Sequence, residues 1–96
     1  MITRETLRQK REAIMEIARQ HGARDIRLFG SVARGENTEA SDVDILVRFE
    51  RERSLFDHGG LIADLEELLG VKVDVISEGG ICERFRTRVL AEAVPL

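Results

Sequence analysis

Hydrophobic residues recur along this chain at the spacing of helices in three places. Between residues 3 and 21, Leu7 and Ile14 mark one face of a helical pattern, and Thr3 is placed to cap its start. Ser54 and Asp57 have the spacing of a capping box at the start of the second pattern. The predicted helices cover residues 3–21, 55–69 and 81–92.

Short apolar runs between these helices predict three strands, over residues 26–29, 43–49 and 71–76. The helix before the third strand is long enough for a right-handed crossover, so the second and third strands should lie parallel. Residues 1–96 are therefore expected to form one α/β domain, a small mixed sheet of about three strands flanked by helices.

Two glycines and the single cysteine bear on the stability of the second helix and on the packing of the third. Gly59 and Gly60 fall within the second helix and should weaken its first turns, since glycine is a poor helix former. Cys82 lies between the apolar Ile81 and Phe85, which favours a small buried side chain over a reactive thiol.

Composition and charge narrow the class of partner. A 43% hydrophobic, 34% charged chain is typical of folded globular proteins, and no apolar run is long enough to span a membrane. A formal net charge of −3 without a basic stripe argues against a polynucleotide partner. A cytoplasmic protein is the simplest expectation.

Carboxylates interrupt the most hydrophobic strand pattern, and a buried charge is costly unless it is paired. Asp42 and Asp44 are two residues apart, so both side chains leave the same face of a strand, and Asp74 on the next strand can join them. Three converging carboxylates would raise each other's pKa values. A divalent metal ion would offset the negative charge of these carboxylates. Two such ions can hold both the attacking and the leaving oxygen of a phosphoryl transfer.

A glycine and a serine precede these carboxylates at the end of the first predicted strand. Gly30 has no Cβ to keep a phosphate from the backbone, and Ser31 offers a hydroxyl and an N–H at the start of a short helical turn. Arg34, one turn later, could reach a phosphate oxygen or an aspartate, and Gly35 would end the turn in a left-handed conformation.

Each of these features alone has an ordinary structural explanation. Gly-Ser after a strand is usually only a turn, and Asp-x-Asp is more often a solvated edge or a calcium loop. Asp74 could pair with Lys72 or an arginine, and Arg34 could make a surface ion pair of little energetic value. His21 and His58 are expected to have no catalytic part. The combination at one fixed spacing is what points to nucleotidyl transfer.

The segment GSVARGENTEASDVDILV, residues 30–47, resembles the Gly-Ser, ten residues, Asp-x-Asp motif of the DNA polymerase β-like nucleotidyltransferase superfamily. The resemblance is greatest to its minimal nucleotidyltransferases, the MntA-like antitoxins encoded with HEPN-domain toxins. It implies a nucleotidyltransferase fold in which Gly30 and Ser31 hold the triphosphate of ATP, Asp42 and Asp44 carry the metals, and Asp74 is the third carboxylate.

The resemblance also implies an activity. AMP would pass from ATP, with release of pyrophosphate, to a hydroxyl, expected to be a tyrosine, of a partner HEPN RNase. Two Mg²⁺ ions, or Mn²⁺ in their place, would be needed, and Asp74 would accept the proton. Two alternatives stay open: an antitoxin that neutralises its partner by binding alone, and a nucleotidyltransferase with a small-molecule acceptor.

Overall fold

Helices and strands alternate along the chain in this computed structural model, which describes residues 2–36, 38 and 42–96. Part of the spacer between Ser31 and Asp42 therefore lies outside the described residues. In chain order the elements are α1 (Arg4–Gln9), α2 (Arg11–Gln20), β1 (Ala23–Phe29), α3 (Gly30–Arg34), β2 (Val43–Phe49), α4 (Leu55–Leu69), β3 (Val73–Ser77), a 3₁₀ turn (Glu78–Gly80), α5 (Glu83–Glu92) and β4 (Val94–Pro95).

The strands form one mixed sheet in the order β3-β2-β1-β4. β2 and β3 are parallel across α4, as the crossover predicts, whereas β1 is antiparallel to both β2 and β4. The predicted fold class is confirmed, but the count of about three strands is one short. β4 has only two residues, one of them a proline, and such a segment carries no alternating pattern and survives only at a sheet edge.

The two faces of the sheet differ in what packs against them. Val43, Ile45 and Val47 of β2 are buried in the main core, where residues of α1, α2 and α4 pack against them. Alternate residues of the same strand point the other way. On that second face Asp44 is half-buried, while Leu46 is fully buried outside the main core cluster. The carboxylates therefore lie on the face opposite to the main core.

Ion pairs centred on Glu78 attach α5 to the rest of the protein. Glu78 binds Arg86 of α5 at 3.4 Å and Arg27 of β1 at 2.5 Å, and Arg48 of β2 lies 4.0 Å away. These arginines lower the pKa of Glu78, the Arg27 hydrogen bond contributing most. Because Arg27 and Arg48 belong to the sheet, this cluster joins the start of α5 to β1 and β2.

The first helix and the first strand are less regular than predicted. The helix expected over residues 3–21 is divided at Lys10, whose φ of −101° and ψ of 12° are not helical. The surrounding residues are good helix formers, so no local signal marks that break. β1 begins at Ala23, earlier than expected. The sequence pattern missed this start because a register shift after Arg24 and a positive φ at Asp25 interrupt the alternation of the strand.

The start of α4 agrees with the sequence prediction, and its two glycines differ in their surroundings. The Ser54–Asp57 capping box is present and the helix runs through both glycines. A Cβ at Gly60 would lie 2.7 Å from Cε1 of His21, whereas a Cβ at Gly59 would meet open space. Gly60 therefore makes room for the imidazole of His21, which hydrogen-bonds Asp64 at 2.7 Å.

The prediction that Cys82 is buried is wrong. α5 begins only at Glu83, so Cys82 occupies the N-cap position and is exposed. No residue of α5 is fully buried, and Phe85 is 52% exposed, whereas Leu96 beyond the helix packs into the core. None of the helices in the described ranges is both long and apolar enough to cross a membrane.

Candidate active site

Asp44 and Asp74 stand directly opposite each other in the parallel pair of β2 and β3. Neighbouring strands are roughly 4.8 Å apart, and side chains at paired positions leave the same face. Both Asp74 and Asp42 are close enough to act electrostatically on the carboxyl group of Asp44. The sequence allowed Asp74 to point towards the other two aspartates, and the register of the sheet brings it there.

The crowding of these carboxylates has a measurable electrostatic consequence. The pKa of Asp44 is raised from 3.8 to about 6, chiefly because burial disfavours its charged form and then because Asp74 and Asp42 are negative. The positive charge of Arg34 opposes the rise. A group of this kind gains from a cation, which would stabilise the charged form.

Asp42 lies just before β2 and is partly exposed. Its Oδ2 atom is 3.9 Å from Nζ of Lys72, and 37% of its side chain is exposed. Lys72 thus pairs with Asp42, and not with Asp74 as one interpretation of the sequence had it. The pair is solvent-accessible, so Asp42 can exchange the lysine for another cation at little cost.

Gly30 places the start of α3 against the carboxylates. Phe29, the last residue of β1, is paired with Asp44, and Gly30 follows with a φ of 72°. A Cβ at this position would overlap the carboxylate of Asp44. The N-cap residue Phe29 has no side-chain acceptor to offer, so the first N–H groups of α3 near Ser31 keep their capacity to bind an anion.

Arg34 completes the short helix, and Gly35 ends it in the predicted left-handed conformation with a φ of 74°. Nε of Arg34 donates to Glu36 at 3.0 Å, and Nη1 lies 3.8 Å from Oε2 of Glu92 on α5. Sequence reasoning missed both partners of Arg34. No pattern along the chain could indicate Glu92, because only the fold brings α5 beside α3.

Comparison with known proteins identifies this arrangement. The model of the nucleotidyltransferase domain family matches residues 8–96. The chain belongs to this family. Among its relatives, a candidate protein adenylyltransferase of Methanocaldococcus jannaschii is 44% identical over 81 residues, which cover 84% of this chain and 87% of that protein. The protein adenylyltransferase MntA of Thermococcus cleftensis is 43% identical over 79 residues, covering 82% and 80%.

Solved structures show the same nucleotidyltransferase fold. A structure described as a candidate minimal nucleotidyltransferase is 54% identical, with a TM-score of 0.89, and the match covers 99% of this chain and 97% of that one. A chain of a toxin–antitoxin complex with AMP-PNP is 22% identical, with a TM-score of 0.75, over 88% of this chain and 69% of that one. The second likeness concerns the fold alone.

The donor atoms of this nucleotidyltransferase suit a metal that is shared with its substrate. No three His, Cys, Asp or Glu side chains within the described residues are arranged as a complete metal site. Mg²⁺, however, is held in such enzymes by one or two carboxylates together with phosphate oxygens. The Asp44–Asp74 pair, with Asp42 beside it, has the surplus negative charge and the oxygen donors for that mode of binding.

His58 and the surface depression at the far end of β2 are not part of this site. His58 hydrogen-bonds the carbonyl oxygen of Val75 at 2.7 Å and packs on the ring of Phe49, so both its polar and apolar surfaces are engaged. A surface depression of about 510 Å³ lies beyond the far end of β2, a strand's length from Asp42 and Asp44. It is lined by Glu50, Arg51, Glu52, Arg53 and Asp57.

Proposed function

We propose that this nucleotidyltransferase transfers AMP from ATP to a hydroxyl group of a partner toxin and so acts as its antitoxin. The observation that carries the proposal is the direct pairing of Asp44 with Asp74 beside the start of α3 at Gly30. An acidic pair of side chains next to the first N–H groups of a helix supports a role in holding metal and phosphate together. Both relatives compared above are described as protein adenylyltransferases, which supports a protein as the acceptor.

In this proposal, one set of residues binds the phosphates and another set binds the metal ions. The N–H groups at Gly30 and Ser31 and the guanidinium of Arg34 would hold the triphosphate. Asp42, Asp44 and Asp74 would carry Mg²⁺, or Mn²⁺ in its place. Bound there, the metal supplies positive charge to the phosphate oxygens and lowers the pKa of the attacking hydroxyl.

The proposed transfer is a single displacement at the α-phosphorus of ATP. The acceptor oxygen forms a new bond to that phosphorus, and the bond to the bridging oxygen of the β-phosphate breaks. Pyrophosphate leaves with the electron pair, and the hydroxyl proton passes to the carboxylate of Asp74. Asp74 is the best placed of the three because it is exposed, whereas Asp42 and Asp44 are partly enclosed.

A protein acceptor agrees with the surface of α5. This helix lies next to the site through the Arg34–Glu92 pair, has no fully buried residue, and exposes half of Phe85. A stable protein complex needs roughly 800 Å² of surface on each partner, a large share of so small a domain. We expect α5 to supply part of that surface, while Leu96 at the chain end does not, because it packs into the core.

The decisive experiment is co-expression with a HEPN-domain partner encoded beside this chain. Mass spectrometry of the partner should show the added mass of AMP on a tyrosine. The additions should vanish in the variant that carries both Asp42→Asn and Asp44→Asn. Asp25→Asn is the matched control, since Asp25 is exposed, remote from the site, and has a positive φ that asparagine tolerates.

The other outcomes separate the alternatives. If the partner stays unmodified and the double variant still neutralises it, the protein is a binding antitoxin and the catalytic proposal falls. If pyrophosphate is released with a small alcohol or sugar and never with the partner, the acceptor is a small molecule. Loss of modification in Asp25→Asn as well would trace the effect to folding rather than to the carboxylates.

A further inference from the structure

Glu92 is an acidic residue in an unfavourable place. It is the last residue of α5, where unpaired carbonyl groups make the helix end partly negative and a cation would be favoured. Two arginines offset its charge. Oε1 lies 3.5 Å from Nε of Arg88 on the same helix, and Oε2 lies 3.8 Å from Nη1 of Arg34 on α3. The contact with Arg34 is the one that leaves the helix.

The same guanidinium is the one that would hold the triphosphate in the proposed function. Arg34 is about half exposed, and its positive charge lowers the pKa of Asp44, so the guanidinium lies within electrostatic range of the site. Glu36 also binds Arg34, but it follows Arg34 closely in the chain and can move with it. Glu92 is different, because it belongs to α5 and ties the arginine to a separate element.

We propose that Glu92 is a positioning residue that competes with the triphosphate of ATP for Arg34. The inference rests on the proposed function, because it requires a nucleotide at this site. When phosphate oxygens bind the guanidinium, the carboxylate of Glu92 loses its partner outside the helix. Nucleotide binding then loosens the last turn of α5, while the Arg86–Glu78 pair keeps its start attached.

ATP affinity of Glu92→Gln tests the competition, with Mg²⁺ present and at low ionic strength. We expect binding to tighten about two- to five-fold, the size of effect that a partly exposed ion pair supports. Glu83→Gln is the matched control, because it makes the same chemical change in the first turn of the same helix. That control should leave ATP affinity unchanged. Equal tightening in both variants would mean a general charge effect and would overturn the inference.

A double-mutant cycle shows whether Glu92 acts through Arg34. In an Arg34→Gln background, Glu92→Gln should no longer alter ATP affinity; an unchanged effect there would also overturn the inference. Hydrogen exchange gives a second measurement: ATP should speed exchange in residues 88–92 of the parent, and these amides should already be fast in Glu92→Gln. If the parent binds ATP and Glu92→Gln has no effect, only this inference fails. If the parent binds no ATP, the proposed function fails with it.

Discussion

The carboxylate of Asp44 occupies the space that a side chain at Gly30 would require. A Cβ at residue 30 would overlap Oδ2 of Asp44, and the φ of 72° is one that residues with a side chain rarely adopt. Gly30 thus allows the turn into α3 to approach the carboxylate of Asp44 closely. In the proposed function, this approach would let one nucleotide contact both the start of α3 and the carboxylates.

Gly30→Ala should therefore abolish transfer and destabilise the protein. Gly35→Ala is the matched control, since Gly35 has nearly the same φ, 74°, and open space around it. The left-handed conformation alone should cost each variant about 1–2 kcal/mol. The clash should cost Gly30→Ala about 1–3 kcal/mol more. Chemical denaturation measures both values, and equal losses would show that Asp44 moves away freely.

Asp44→Asn should stabilise the protein at neutral pH while it removes activity. The pKa of Asp44 is raised in the folded state, so this state holds the proton more tightly than the unfolded state. The penalty of its charge is thus absent below about pH 4, appears as pH rises towards about 6, and is complete above. Because solvent screens a half-exposed group, we expect a gain of only about 1 kcal/mol.

The measurement for this variant is unfolding at a series of pH values. Parent and Asp44→Asn should have equal stability near pH 3.5, and the variant should gain as pH rises to 7. A constant difference across this range would contradict the electrostatic cause. A large loss of stability in the variant would instead show that Asp44 is needed for the fold.

Metal affinity should depend on the nucleotide. The carboxylates offer only part of a coordination shell, so Mg²⁺ or Mn²⁺ should bind weakly alone and far more tightly with ATP, whose phosphate oxygens complete the shell. Titration calorimetry with and without ATP tests this. Equal affinities in the two titrations would argue against a nucleotidyl-transfer site, and Asp25→Asn should behave as the parent does.

The two adjacent glycines of α4 should respond in opposite ways to alanine. Gly59→Ala meets open space in a helix and should stabilise by about 0.5–1 kcal/mol. Gly60→Ala would place its Cβ 2.7 Å from the ring of His21 and should destabilise the protein. Thermal unfolding of both variants checks the contrast. In a His21→Ala background Gly60→Ala should become harmless, and persistent destabilisation there would rule out the imidazole as the cause.

Local patterns along the chain were sufficient for most of the architecture. Apolar spacing predicted β1, β2 and β3 and the helices α4 and α5, but it predicted α1 and α2 as one helix. The crossover helix predicted the parallel pair of β2 and β3. The spacing between Gly-Ser and Asp-x-Asp also singled out Gly30 and Asp44 as members of one site. These features are readable because helical and strand periods are short, so a few neighbouring residues carry them.

Tertiary structure alone decided the features that join distant segments. The direct opposition of Asp44 and Asp74 depends on sheet register, and the partner of Arg34 on α5 depends on how that helix lies beside α3. The exposure of Cys82 and the space beside Gly60 are likewise set by contacts with other elements. Periodicity tells which face of an element is apolar, but it carries no information about which distant side chain meets that face.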